Sequence, residues 1–304
     1  VEVYKTKDGS EVAVLAATWE LNHKVTFGSL AKEFESNPTR AWRNYGSIVK
    51  TSLEAAIKDS DTILRAVNPM HRDPWDYSRD KFHEWFRGKG GIPYFLHYDL
   101  SVRRDACGKG LSHREANGQL VVDWMHQTVI PEGRNINFAH ERQFAYDLHE
   151  RGFHLELITY DQFQSEETRQ ILEEKGFKTD RASADKGTAA YDSLIEPLLE
   201  TSNAVLSQGP SAHRRLDFYD HPVFMREMKF LKLINGVRYD HPSKNPDGSK
   251  GSKDVADGVA CSVMTCLKWH SENKSSGPPV IIVHQPGRQT VWRQQYGDEH
   301  ISRL

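Results

Sequence analysis

The order of strand and helix signals predicts a mixed α/β fold: an antiparallel three-strand meander, then βα units, joined in one mixed sheet flanked by helices. Three observations carry that reading. Beyond Gly88 the chain switches from a polar, mainly helical pattern to runs rich in aromatic and β-branched residues. Asn117-Gly118, the strongest short hairpin signal, lies between two such runs. The later runs each have an amphipathic stretch behind them, the pattern of a parallel strand and its crossover helix.

Before Gly88, FGSLAKEFESNPTRAWRNYGS has apolar residues at Leu30, Phe34 and Trp42 with Asn37-Pro38 as a turn, and SLEAAIKDSDTILRAV from Ser52 reads as a short helix and loop. Ile92–Val102 reads as a core strand, and Gly108–Gly110 (GKG) as the turn after it, followed by LSHREA. Gln119–Ile130 makes the third strand across a type I′ turn, whose two central residues both need positive φ. Asn137–Arg151 is helical, with Phe138, Phe144, Ala145 and Leu148 on one face and Gly152 as its stop. HLELITYD from His154 is the fourth strand. A helix N-capped by Ser165, a short strand near Phe177 and a helix from about Thr188 to Leu199 follow. A second hairpin is expected at Asn235-Gly236, and a last helix from near Ser252 to about His270.

The chain of 304 residues carries 40 Lys and Arg against 42 Asp and Glu, a formal charge of −2. A uniformly basic coat is excluded, so any grip on nucleic acid must be a local patch. No apolar run approaches the roughly 20 residues that span a bilayer, and no membrane partner is expected. Cys107, Cys261 and Cys266 cannot all pair and show no metal spacing, which fits a reducing cytoplasm. The start on VEVYKTKDGS, without Met or a signal-like apolar core, leads to the expectation of a piece of a longer protein. Residues 1–88 are expected to be a mostly helical connecting segment left from a preceding domain, and 89–304 a single catalytic domain.

Acids fall at telling places. Asp99 sits among Phe95, Leu96, Tyr98 and Leu100, and Asp161 ends the apolar run LELITY. A carboxylate inside such a run is costly unless it is solvated, hydrogen-bonded or bound to a cation. Asp254 and Asp257 stand in the first turn of the last helix, three residues apart and so on nearly one face. Singly, each fits a turn cap or a helix-dipole residue. Together they gather at one end of a sheet, and clustered carboxylates without His or Cys suit Mg²⁺ or Mn²⁺. Asp105, Asp123 and Asp240 are weaker candidates. Arg103, Arg104 and Lys109 in the turn after the first strand, and Lys253 before the third acid, are candidate phosphate-binding residues, with Arg214 and Arg215 adding a loop.

YFLHYDLS, LELITYDQFQS with TRQILEEKGF behind it, and GSKDVADGVA together resemble the nuclease domain of a tailed-bacteriophage large terminase subunit, within the RNase H-like nucleases. TWELN and SLAKEFESNPTRAWRNYGS resemble the connector between such a protein's ATPase and nuclease. The resemblance implies an RNase H-like sheet and a divalent-metal-dependent endonuclease that cuts concatemeric phage DNA when packaging starts and ends. It assigns the first acid to Asp99, the second to Asp161 and the third to Asp254, with Asp257 as a further ligand or outer group. One or two Mg²⁺ or Mn²⁺ ions, double-stranded DNA, the portal protein and the small terminase subunit are the implied partners, in the host bacterial cytoplasm.

The chain departs from a complete terminase in lacking a GxxxxGK[ST] phosphate loop, since GKGG and GSKGSK fail the spacing. Two other readings stay open: a non-catalytic RNase H-like scaffold for nucleic acid or a motor partner, and a junction-resolving or RNA-cutting relative. Zinc proteolysis is disfavoured, because His149-Glu150 and His154 form HExxxH, one residue too long and broken by Gly152. A serine hydrolase of the GxSxG type lacks its signature.

Overall fold

The structure, a computed structural model, describes residues 2–6, 10–36, 41, 45–46, 55–100, 106–130, 134–161, 166–273, 282–285 and 288–291. Its centre is a six-stranded mixed sheet of β1 (Pro93–Asp99), β2 (Cys107–Arg114), β3 (Leu120–Thr128), β4 (His154–Tyr160), β5 (Thr179–Arg181) and β6 (Leu216–Asp217). The order across the sheet is β6-β3-β2-β1-β4-β5. β1, β2 and β3 form the antiparallel meander, while β4 runs parallel to β1, β5 to β4 and β6 to β3. This is the RNase H-like sheet that the sequence predicts, with the first and fourth strands adjacent.

The helices are α1 (Asp61–Ala66), α2 (Phe138–Glu150), α3 (Glu166–Glu174), α4 (Ala189–Gln208), α5 (Pro222–Phe230) and α6 (Asp254–Glu272). The Asn137 side chain caps α2 by accepting from the N–H groups of Ala139 and His140. The Ser165 cap and the Asn37-Pro38 turn lie outside the described residues. Among the described residues no helix is long and apolar enough to cross a membrane.

Alternation along β1 sorts the sheet into two faces. Phe95 joins a core with α1, α4, α5 and α6, whereas Tyr94, Leu96 and Tyr98 join a second core with α2 and α3. Segments ahead of Gly88 enter both: Ile57, Ile63 and Ala66 the first, and Trp75, Phe82 and Phe86 the second.

Two local expectations are corrected. GKG is not a turn: Gly108, Lys109 and Gly110 lie inside β2. A Cβ at Gly108 would sit 1.7 Å from the Asp254 carbonyl oxygen, and one at Gly110 would sit 2.5 Å from that of Gly258. The glycines therefore serve the close seating of α6 on the sheet, not chain reversal. The turn at Asn117-Gly118 is not type I′ either. Only Gly118 has positive φ, at 88°, and bonds from Gly118 N to Glu115 O and from Glu115 N to Gln119 O close a type I turn with a glycine bulge. The type I′ geometry occurs instead at Asn235-Gly236, with φ of 52° and 71°.

Candidate active site

Asp99 is the last residue of β1 and Asp161 follows the last residue of β4. Tyr98 and Tyr160 are paired in register across these parallel strands, so the two acids leave the sheet side by side. Tyr98 and Tyr160 belong to the α2 face, and alternation turns Asp99 and Asp161 to the α6 face. Asp99 pairs with Gly108, and Gly108 with Gln127, forming one row across three strands. The bare Gly108 receives the backbone of Asp254, the first residue of α6. Three elements thus bring Asp99, Asp161 and Asp254 to one edge of one face.

The electrostatics agree with that gathering. Burial, and then the charges of Asp257, Asp254 and Asp161, push the Asp99 carboxyl well above the usual carboxylate range, against a smaller opposing pull from Lys253. Asp99 and Asp161 form no hydrogen bond or ion pair among the described residues. Asp254 Oδ2 accepts from Ser252 Oγ at 2.8 Å and from Gln127 Nε2 at 3.5 Å. Asp257 is held differently: Tyr191 OH donates to its Oδ1 at 2.5 Å and Lys253 Nζ to its Oδ2 at 2.5 Å. Burial raises its pKa to about 6, opposed by Lys253 and Tyr191.

Glu227 on α5 completes the surroundings and carries no sequence signal. Its Oε1 accepts from Ser252 Oγ at 2.6 Å and its Oε2 from the Ala256 N–H at 2.8 Å, so it caps the first turn of α6 from another helix. Burial raises its pKa to about 8, opposed by those two bonds and reinforced by Asp254 and Asp257. Only the packing of α5 against α6 brings Glu227 here.

Two of the expected phosphate-binding residues do not face solvent. Lys109 is fully buried on the opposite face, ion-paired with Glu141 at 2.7 Å, bonded to Thr128 Oγ1 at 2.6 Å and lying over the Phe144 ring. Period-two alternation sends Lys109 away from the acids precisely because Gly108 faces them. Lys253 is also buried, its ammonium bound to Asp257 and to Asp185 Oδ1 at 2.8 Å. Arg103, Arg104 and Asp105 lie outside the described residues. Arg214 donates to the Ala66 carbonyl, and Arg215 pairs with Glu200. Asp123 pairs with His113 and Asp240 with Arg238.

The donor set is all hard oxygen, and Asp99 and Asp161 have no protein cation to compensate them, which fits a divalent ion such as Mg²⁺ or Mn²⁺. As they stand, no group of three or more His, Cys, Asp or Glu among the described residues is arranged to hold a metal ion.

The chain is similar to the large terminase nucleases of tailed phages. It aligns with the large terminase nuclease from thermophilic phage G20c at 8% identity and a TM-score of 0.41, over 66% of this chain and 94% of that one. The same nuclease with bound magnesium aligns at 6% identity and a TM-score of 0.44, over the same shares. The HK97 bacteriophage large terminase aligns at 11% identity and a TM-score of 0.47, over 79% of this chain and 51% of that protein. No family model and no curated protein matches the sequence.

Proposed function

We propose that the chain is a divalent-metal-dependent endonuclease of a phage DNA-packaging terminase, cutting concatemeric double-stranded DNA as packaging begins and ends. The observation that supports it is the convergence of Asp99, Asp161 and Asp254 from two parallel strand ends and one helix start. Asp99, Asp161 and Asp254 hold the cation, Mg²⁺ or Mn²⁺, and Asp257 stands behind them in its bonds to Lys253 and Tyr191. When bound, such an ion activates water and neutralises charge developing on a phosphodiester. The chain's own contribution is positional. Gly108 lets α6 sit directly on the sheet, Ser252 and Gln127 orient Asp254, and Glu227 fixes the first turn of α6. In this role the chain works in the host bacterial cytoplasm with the portal protein and small terminase subunit as partners.

With Lys109 and Lys253 turned inward, Arg103 and Arg104 are the remaining proposed phosphate contacts beside the acids. The test is Mn²⁺-dependent cleavage of linear duplex, a four-way junction and an RNA–DNA hybrid by the wild type and Asp99→Asn. Duplex cleavage lost in the variant is expected, and wild-type cleavage by Asp99→Asn would falsify the assignment. The absence of an arranged metal-holding group favours a second reading, a non-catalytic RNase H-like scaffold. A scaffold gains no cutting with Mn²⁺ or Mg²⁺.

A further inference from the structure

We propose that the Lys253 ammonium occupies, in charge, the place of a second metal ion, so that this site takes a single divalent cation on Asp99, Asp161 and Asp254. The proposal rests on the nuclease reading above and sets its metal stoichiometry. A two-ion site needs carboxylates able to compensate both ions, and the four acids here divide into two unlike groups.

Asp257 has both oxygens engaged, Oδ1 by the fully buried Tyr191 hydroxyl and Oδ2 by Lys253. Its residue is 6% exposed and that of Lys253 is 8% exposed. The ammonium is fixed from a second side by Asp185, so a dication at Asp257 would have to expel a buried lysine held by two carboxylates. Asp99 and Asp161, by contrast, have no compensating partner among the described residues. The Lys253 charge also reaches Asp99, where it opposes the pull of the three neighbouring acids. Lys253 immediately precedes α6, whose amide dipoles add further positive potential on the same side. The region around Asp257 is therefore already cationic by construction, and the uncompensated charge is confined to the strand ends.

The separating experiment is calorimetric titration of the full chain with Mn²⁺, paired with electron paramagnetic resonance of the loaded protein. The wild type is expected to bind one ion and give the spectrum of an isolated Mn²⁺. Lys253→Gln leaves Asp257 and Asp185 without their cation and is expected to bind two ions, with the broadened signal of a coupled Mn²⁺ pair. Lys253→Arg is expected to stay at one, and Lys253→Gln combined with Asp257→Asn to return to one. Two ions on the wild type would overturn this proposal and leave the nuclease reading standing. No Mn²⁺ bound at all would overturn both. A folded Lys253→Gln chain that binds one ion would show that Lys253 does not exclude the second. Should that variant fail to fold, the wild-type stoichiometry still decides.

Discussion

The two ends of β1 are built from the same residue types to opposite effect. At its N-terminal end, Tyr94 pairs with His113, whose Nδ1 meets Asp123 at 2.6 Å and whose Nε2 meets Glu115 at 3.1 Å; Glu115 is also bound by Lys89. Each acid there has its cation. At the C-terminal end, about 17 Å along the strand, Asp99 and Asp161 have none among the described residues. The Lys109–Glu141 pair on the far face repeats the compensated pattern in the core. Burying a charge is tolerated when it is paired and hydrogen-bonded. Acids left unpaired at a strand end mark where the fold has been spent on something other than stability.

The contrast can be broken most sharply at the unpaired end. Asp161→Asn is expected to lower Mn²⁺-dependent cleavage by more than the roughly 100-fold that loss of an outer ligand partner costs. Its thermal midpoint should be no lower than wild type, since one of several mutually repelling carboxylates is gone. A variant that melts much lower and still cuts would invert the comparison.

Paired positions should behave in the opposite sense. Lys109→Met leaves Glu141 buried without its cation and is expected to cost about 3–5 kcal/mol in urea unfolding. Combining it with Glu141→Leu should recover most of that loss. Gly108→Ala tests the link between packing and site: its Cβ would meet the Asp254 backbone, so about 1–3 kcal/mol of overpacking is expected together with weaker Mn²⁺ binding. Unchanged binding in a destabilised Gly108→Ala chain would separate the seating of α6 from the ligand geometry.

The smallest effect concerns His113. Burial lowers its pKa, but the charge and hydrogen bond of Asp123, with Glu115, outweigh burial and raise it above 6.5. A group whose folded pKa is raised stabilises the fold below its unfolded pKa and loses that contribution as pH rises through the folded one. The stability difference between wild type and His113→Gln is therefore expected to be larger at pH 5.5 than at pH 8.5, by on the order of 1 kcal/mol. Urea midpoints at the two pH values measure it, and a difference that grows with pH would contradict the pairing.

Much of this was legible in the sequence, and the limits have physical reasons. The strands, their meander and the helix between Asn137 and Gly152 follow from local alternation and capping, which are short-range. Asp99 and Asp161 stood out because a carboxylate in an apolar strand is locally anomalous. GKG misled because glycine signals turns and close approaches alike, and only the position of α6 distinguishes them. Lys109 was misassigned in consequence, since once its segment is a strand its side chain must point opposite to Gly108. Glu227, Tyr191 and Asp185 were invisible because their roles exist only after α5, α4 and the loop before α4 pack against α6.

The central claim is that the unpaired acids hold a cation needed for cutting DNA. Its most direct test is to strip the full chain with EDTA, add linear duplex, and follow cleavage as Mn²⁺ rises from zero, for the wild type and Asp161→Asn. Cleavage that appears only with Mn²⁺ and only in the wild type is the expected result. Cutting without metal, or equal cutting by both proteins, would contradict it.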